Sequence, residues 1–295
     1  MHAPKPARFP PSPEQRVRTI NYQFARNTIY NTDCVAGMSI IPDHSVQLIL
    51  CDLPYGRTNC AWDKLLPLDA LWQQWKRILA PGGVVALTAI QPFTTDLIQS
   101  NRPWFRYCWY WRKNHATGFA NCKKQPMRCI EDVAIFYPKP PDFHPQGLVR
   151  LEQPVRKEGK KEMGQVYDHG LDKPYVQEFT HYPTHLLEIP CQRGLHPTQK
   201  PVELFAYLIR SYTNPGDLVL DACMGSGTTA VACIQTGRDY VGFELDEGYW
   251  QLCQQRVQQE REAAGGQARV LPTPGGKAGR NEARNFPRSQ VKKLG

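Results

Sequence analysis

Asp217-Leu-Val-Leu-Asp-Ala-Cys-Met-Gly-Ser-Gly-Thr-Thr-Ala230 reads as a buried strand, a glycine turn and the start of a helix. Gly225, Gly227 and Ala230 match G-x-G-x-x-A. Glycines permit the tight turn and let a ligand approach the backbone. The helix start then offers free N–H groups to that ligand. A second strand, predicted over 240–244, ends in Glu244, nineteen residues past Gly225. An acid at that place suits a ribose diol. The pattern implies a nucleoside-bearing cofactor on a parallel sheet, and taken alone it suits a dinucleotide equally well.

Outward from this stretch the same alternation recurs. Upstream, 202–212 predicts a helix, and 228–235 and roughly 246–262 predict two more. In the first half, 27–31 predicts a short strand, 35–41 a short helix stopped by Pro42, and 46–51 a strand. Apolar residues at 68, 71, 72, 75, 78 and 79 have helical spacing. Pro81-Gly82-Gly83 is predicted to end that helix before a strand over 84–89. Residues 104–113 alternate as a strand, with Phe105, Tyr107, Trp109 and Trp111 on one face, and 129–137 predict another strand. Strand and helix at short intervals argue for a parallel sheet. Residues 138–192 lack clear periodicity and read as an inserted module.

Composition bounds the partners. The 295 residues suffice for one large α/β domain or a domain with a small insert. Ten cysteines contain no C-x-x-C pair, which disfavours a zinc ribbon and fits a reducing compartment. No run approaches the roughly 20 apolar residues of a membrane helix, and the Pro- and Arg-rich start has no signal-peptide core. The net charge of +9 sits in two stretches, 1–18 and 263–295, both expected to be disordered basic tails. Residues 19–262, the expected folded domain, are neutral overall. Charge alone therefore does not establish a nucleic-acid partner.

Asp221-Ala-Cys-Met-Gly-Ser-Gly-Thr-Thr229 resembles the S-adenosylmethionine motif of the amino DNA methyltransferases, which modify N6 of adenine or N4 of cytosine. His196-Pro-Thr-Gln-Lys-Pro-Val-Glu-Leu204 is similar to a second motif of that family, in which a Thr and a Lys before a helix hold the cofactor's carboxylate. Asp52-Leu53-Pro54-Tyr55 resembles a third, usually Asp-Pro-Pro-Tyr, with Leu53 in place of the first proline. The catalytic motif comes first and the cofactor motif last, as in the circularly permuted beta subgroup. The resemblance, over about 27–260, implies a doubly wound, mostly parallel Rossmann-like α/β sheet with a target-recognition insert near 138–192. It implies cofactor contacts from Asp33, His196, Thr198, Lys200, Asp221, Gly225, Ser226, Gly227, Thr228, Glu244 and Leu245.

An aromatic amine is a poor nucleophile because its lone pair conjugates with the ring. In the implied chemistry the Asp52 carboxylate and the Leu53 carbonyl accept its two N–H bonds, Pro54 shapes the turn and Tyr55 stacks the base. The base must first leave the duplex; stacking on Tyr55 offsets part of that cost, and phosphate contacts are expected to supply the rest. Residues 106–128 hold six basic side chains and no acidic one; Lys123, Lys124 and Arg128 are the candidates for DNA. In the family that the motif resembles, a Ser in place of this Asp goes more often with cytosine, so the resemblance implies adenine N6, with cytosine N4 the alternative.

A binding relative without turnover, and a nicotinamide oxidoreductase that would leave HPTQKP and DLPY without a task, are readings from other classes. Pro190-Cys191-Gln192 superficially resembles the nucleophile motif of the carbon-5 enzymes but precedes the cofactor motif. His181 and His185 flank Pro183 and read as loop histidines, not as a metal pair. The expected setting is the cytoplasm of a bacterium or its phage, and the expected partner is double-stranded DNA. A homodimer is compatible with this reading, and a restriction endonuclease partner is left open.

Overall fold

A computed structural model describes residues 22–56, 64–158, 174–192 and 199–268. In chain order the first half gives β1 (Thr28–Asn31), α1 (Cys34–Gly37) with a 3-10 turn after it, β2 (Val46–Cys51), α2 (Leu68–Ile78), β3 (Leu79–Ala89) and α3 (Phe93–Ser100). The strands β4 (Phe105–Thr117), β5 (Arg128–Phe136), β6 (Val149–Lys157), β7 (Tyr175–Thr180) and β8 (Leu186–Glu188) follow. Then come α4 (Val202–Tyr212), β9 (Leu218–Asp221), α5 (Thr228–Thr236), β10 (Asp239–Glu244) and α6 (Glu247–Ala268).

Eight strands form one sheet in the order β1-β10-β9-β2-β3-β5-β4-β8, and β6 pairs with β7 in a separate two-stranded sheet. From β1 to β3 every pairing is parallel. β5 runs against both β3 and β4, and β8 is parallel to β4. Only β5 is therefore reversed, and β4 points the same way as β2 and β9. Helices cover both faces. Leu48 and Leu50 of β2 pack with α4, α5 and α6, while Ile49 and Cys51 pack with α1, α2 and α3. This two-sided burial explains why Val46–Cys51 is a nearly unbroken apolar run.

From β2 the chain winds outward through β3, and from β9 it winds the other way through β10. The crevice at the carboxyl ends of β2 and β9 is thus a topological switch point, where open α/β sheets bind ligands. α2 packs through Leu71, Trp72, Trp75 and Ile78, one apolar stripe at helical spacing.

Four expectations need correction. Pro81-Gly82-Gly83 does not separate helix from strand: α2 passes directly into β3, and the three residues bulge out where the pairing jumps from Val46–Leu79 to Leu48–Val84. An irregularity between Phe105 and Tyr107 puts Phe105 on the α1–α3 side, away from Tyr107, Trp109 and Trp111. α6 continues to Ala268, because Ala263 and Ala264 sustain it and a helical Gly costs only about 1 kcal/mol. The stretch 138–192 is not all insert, since β8 joins the main sheet beside β4. The remaining tails, 1–21 and 269–295, lie outside the described residues.

Candidate active site

Asp52 follows the last residue of β2 at the carboxyl edge of the sheet. Its Oδ1 accepts from the Tyr55 hydroxyl at 2.6 Å and from the Thr88 hydroxyl at 2.5 Å. Lys200 Nζ donates to Oδ1 at 2.8 Å and to Oδ2 at 2.7 Å. The Tyr55 ring lies 5.4 Å from that of Phe93, and the Lys200 ammonium stands 5.5 Å over it. Burial, and then the charge of Asp52, push the Tyr55 phenol well above its ordinary range, so it remains a neutral donor. Leu53 is buried in the α1–α3 layer, so the substituted side chain serves as core.

Behind Lys200 stands a second carboxylate. Glu131 Oε2 is 3.5 Å from Lys200 Nζ, and Oε1 accepts from Lys113 Nζ at 2.8 Å. The side chains of Lys200, Lys113 and Glu131 are 8%, 7% and 15% exposed. Burial alone would lower the Lys200 pKa, but the carboxylates of Asp52 and Glu131 outweigh it, raise the pKa and hold the ammonium charged. Thr88, Glu131 and Lys113 were not singled out for this site by their sequence. The available signal was a Thr in the apolar run of β3 and an acid in the apolar run of β5.

The glycine turn begins one strand away. Gly225 and Gly227 have φ of 53° and 83°, in the left-handed region. The Gly225 N–H donates to Glu244 Oε2 at 2.7 Å, and Glu244 Oε1 accepts from Asp246 N at 2.9 Å. Ser226 and Thr228 are buried, and Arg256 of α6 reaches both hydroxyls at 3.2 Å. Leu245 is 71% exposed at the end of β10. Asp33 caps α1, accepting from Ala36 N at 2.9 Å, just past the end of β1. Asp33, Glu244 and the glycine turn thus share one edge of the sheet. His196 and Thr198 lie outside the described residues.

Asp221 is buried and accepts from the Thr229 hydroxyl and from Cys223 N. Burial raises its pKa to about 7, and those two hydrogen bonds restrain the rise. Between the ordinary carboxylate value near 4 and about 7, the folded chain keeps a proton that the unfolded chain releases. This contribution to stability is complete below that range, falls as pH rises through it and levels off above. Urea midpoints measured from about pH 5 to about pH 8 should therefore fall more steeply for the wild type than for Asp221→Asn. Parallel profiles would refute the assignment.

Lys123 and Lys124 are exposed in the connection between β4 and β5, and Arg128 is exposed at the first position of β5. Because β4 runs parallel to β2, this connection projects from the same edge as Asp52. The other basic residues of 106–128 are engaged otherwise. Lys113 turns inward to Glu131, Arg112 pairs with Glu188 at 2.5 Å, and Arg106 lies over the Tyr137 ring. Cys191 is bound through its backbone N–H to Asn114 Oδ1, and His185 packs on Tyr110.

A family model described as DNA methylase matches residues 46–255. The putative methylase YubD of Escherichia coli K12 is 52% identical over 62 residues, spanning 21% of this chain and 27% of that protein. The DNA adenine methyltransferase YhdJ of the same strain is 27% identical over 255 residues, covering 78% of this chain and 82% of that one. The crystal structure of the M1.HpyAVI–SAM complex superposes with a TM-score of 0.53 at 22% identity, covering 77% of this chain and 98% of that one. At that identity the superposition speaks to a shared fold.

Proposed function

The chain belongs to the N6/N4 DNA methylase family, and from that premise we propose that it transfers the methyl group of S-adenosylmethionine to the N6 amine of adenine in double-stranded DNA. One observation carries this reading. Asp52 and the glycine turn, far apart in sequence, leave adjacent parallel strands at the switch point, with Leu48 opposite Val219 and Ile49 opposite Leu220. An amine acceptor and a nucleoside cradle side by side are what methyl transfer to an amine requires.

The residues fit the cofactor. The left-handed glycines keep the turn open to close approach, and Leu245 offers an exposed apolar surface for a ring. Glu244 stands at the strand end for a ribose diol, and Lys200 supplies a cation for a carboxylate. When bound, S-adenosylmethionine supplies an electrophilic methyl on sulfonium. The chain's part is to orient the amine. The Asp52 carboxylate and the Leu53 carbonyl accept its two N–H bonds and favour a pyramidal nitrogen with a free lone pair. Positioning and preorganised dipoles provide the acceleration. Tyr55 is the ring offered to the base, and it already contacts Phe93 and the Lys200 ammonium.

Target reading falls in this proposal to residues within 138–192, and phosphate contact to Lys123, Lys124 and Arg128. Lys124→Ala should weaken binding to all duplex sequences alike and reduce the salt slope by about 1. An unchanged slope in a filter-binding titration would place this lysine away from DNA. Among the described residues no helix is long and apolar enough to cross a membrane.

The deciding experiment is expression in a bacterium free of DNA methylation, followed by single-molecule sequencing. N6-methyladenine in a recurrent context supports the reading. N4-methylcytosine keeps the family and replaces the target base. Unmodified DNA from cells containing the folded protein overturns the proposal.

A further inference from the structure

Asp52 already accepts four hydrogen bonds from the protein itself. Its Oδ1 accepts from Tyr55, Thr88 and Lys200, and its Oδ2 from Lys200. A carboxylate offers about four lone-pair sites, two on each oxygen. Oδ1 is therefore crowded before any substrate arrives, and Oδ2 holds Lys200 as its one donor, so an amine that comes to this carboxylate meets the Lys200 ammonium on either oxygen. Tyr55 and Thr88 each make one bond to the carboxylate, whereas Lys200 takes both oxygens. Release of Lys200 would relieve the crowding on Oδ1 and leave Oδ2 clear of protein donors at once.

A buried ammonium cannot leave one carboxylate for an apolar wall without a large desolvation cost. The structure offers it another carboxylate. Glu131 Oε2 is 3.5 Å from Lys200 Nζ, buried, and without a hydrogen-bond partner among the described residues. Its companion Oε1 is held at 2.8 Å by Lys113, which anchors the group. An unbonded carboxylate oxygen in a buried site is costly, and here it faces the one cation whose movement would free Asp52.

We propose that Glu131 is a positioning residue that receives the Lys200 ammonium when a target amine claims Asp52. This rests on the amine-methylating reading above. The step exchanges hydrogen bonds only; no covalent bond forms or breaks, and the proton stays on Lys200. Lys200 keeps a carboxylate partner throughout, and Asp52 regains acceptor capacity at the moment of use. If Lys200 also holds the cofactor's carboxylate, that role affects cofactor affinity. The Glu131 role affects the rate of transfer with affinity intact.

Glu131→Gln tests this, because it keeps the shape and removes the charge. The assay is single-turnover transfer of tritiated methyl to a duplex carrying the mapped site, with the S-adenosylmethionine Kd measured by calorimetry. The expected result is a rate lowered about tenfold, with Kd for the cofactor and KM for the duplex within about twofold of wild type. A wild-type rate overturns the proposal. So does a loss of cofactor affinity that matches the loss of rate, which is the mark of a merely structural residue. If Glu131→Gln does not fold, Glu131→Asp replaces it, since it keeps the charge but withdraws it by one methylene. It should fall about threefold in rate at unchanged cofactor Kd, and an unchanged rate again overturns the inference. Methyl transfer by the wild type is measured first. Its absence would fail the functional reading and this inference together, whereas an active wild type and an equally active Glu131→Gln would fail the inference alone.

Discussion

Asp52→Ala should lower the single-turnover rate of methyl transfer by at least about 10³-fold, while S-adenosylmethionine still binds. The carboxylate is the side-chain acceptor for the target amine in the proposed mechanism, and alanine puts nothing in its place. The substitution also removes the bidentate partner of Lys200. Breaking a buried pair commonly costs about 3–5 kcal/mol. Here Glu131 lies 3.5 Å from the same ammonium and takes part of the charge, so the folded state should survive. Cofactor affinity should be unchanged or greater, since the Lys200 ammonium has lost a competing anion. Calorimetric titration with S-adenosylmethionine and a tritiated-methyl assay on one preparation check both halves. Undiminished turnover would remove Asp52 from catalysis. Loss of cofactor binding together with turnover would show that the residue supports the whole site.

Gly227→Ala should destabilise the protein by about 3 kcal/mol and weaken the cofactor site with it. Two separate costs combine. Gly227 has φ of 83°, which L side chains adopt only at about 1–2 kcal/mol. A Cβ there would also lie 2.5 Å from Cys253 Sγ of α6. Adding Cys253→Ala relieves the contact but not the dihedral strain. In a double-mutant cycle the two changes should therefore couple favourably by about 1 kcal/mol or more. Urea denaturation of the four proteins measures it, and strict additivity would show that the turn relaxes away from α6.

The fold was largely legible because its signals are local. The apolar run of β2, the helical spacing of α2 and the strand-turn-helix around Gly225 each declare an element within a few residues. What escaped reading depended on non-local pairing. β8 is three residues long and is a strand only because Tyr110, Trp111 and Arg112 pair with it. β6 is almost wholly exposed, so no burial period marks it. The irregularity that turns Phe105 to the opposite layer arises from its pairing with β5 and has no signature in the sequence.

The candidate site divides in the same way. By itself the sequence determined which chemical groups are present: an acid at the end of β2, a left-handed glycine turn after β9, and the lysine of the Gln199-Lys200-Pro201 segment. These follow from backbone chemistry within a few residues of each motif. Only the tertiary structure decided who holds whom. It placed Lys200 on Asp52, 148 residues away, turned Lys113 from the basic run into the interior, and left Glu131 Oε2 facing the ammonium. The reason is physical. An ion's partner is set by which strands lie adjacent and which face each side chain takes, and both are properties of the assembled sheet.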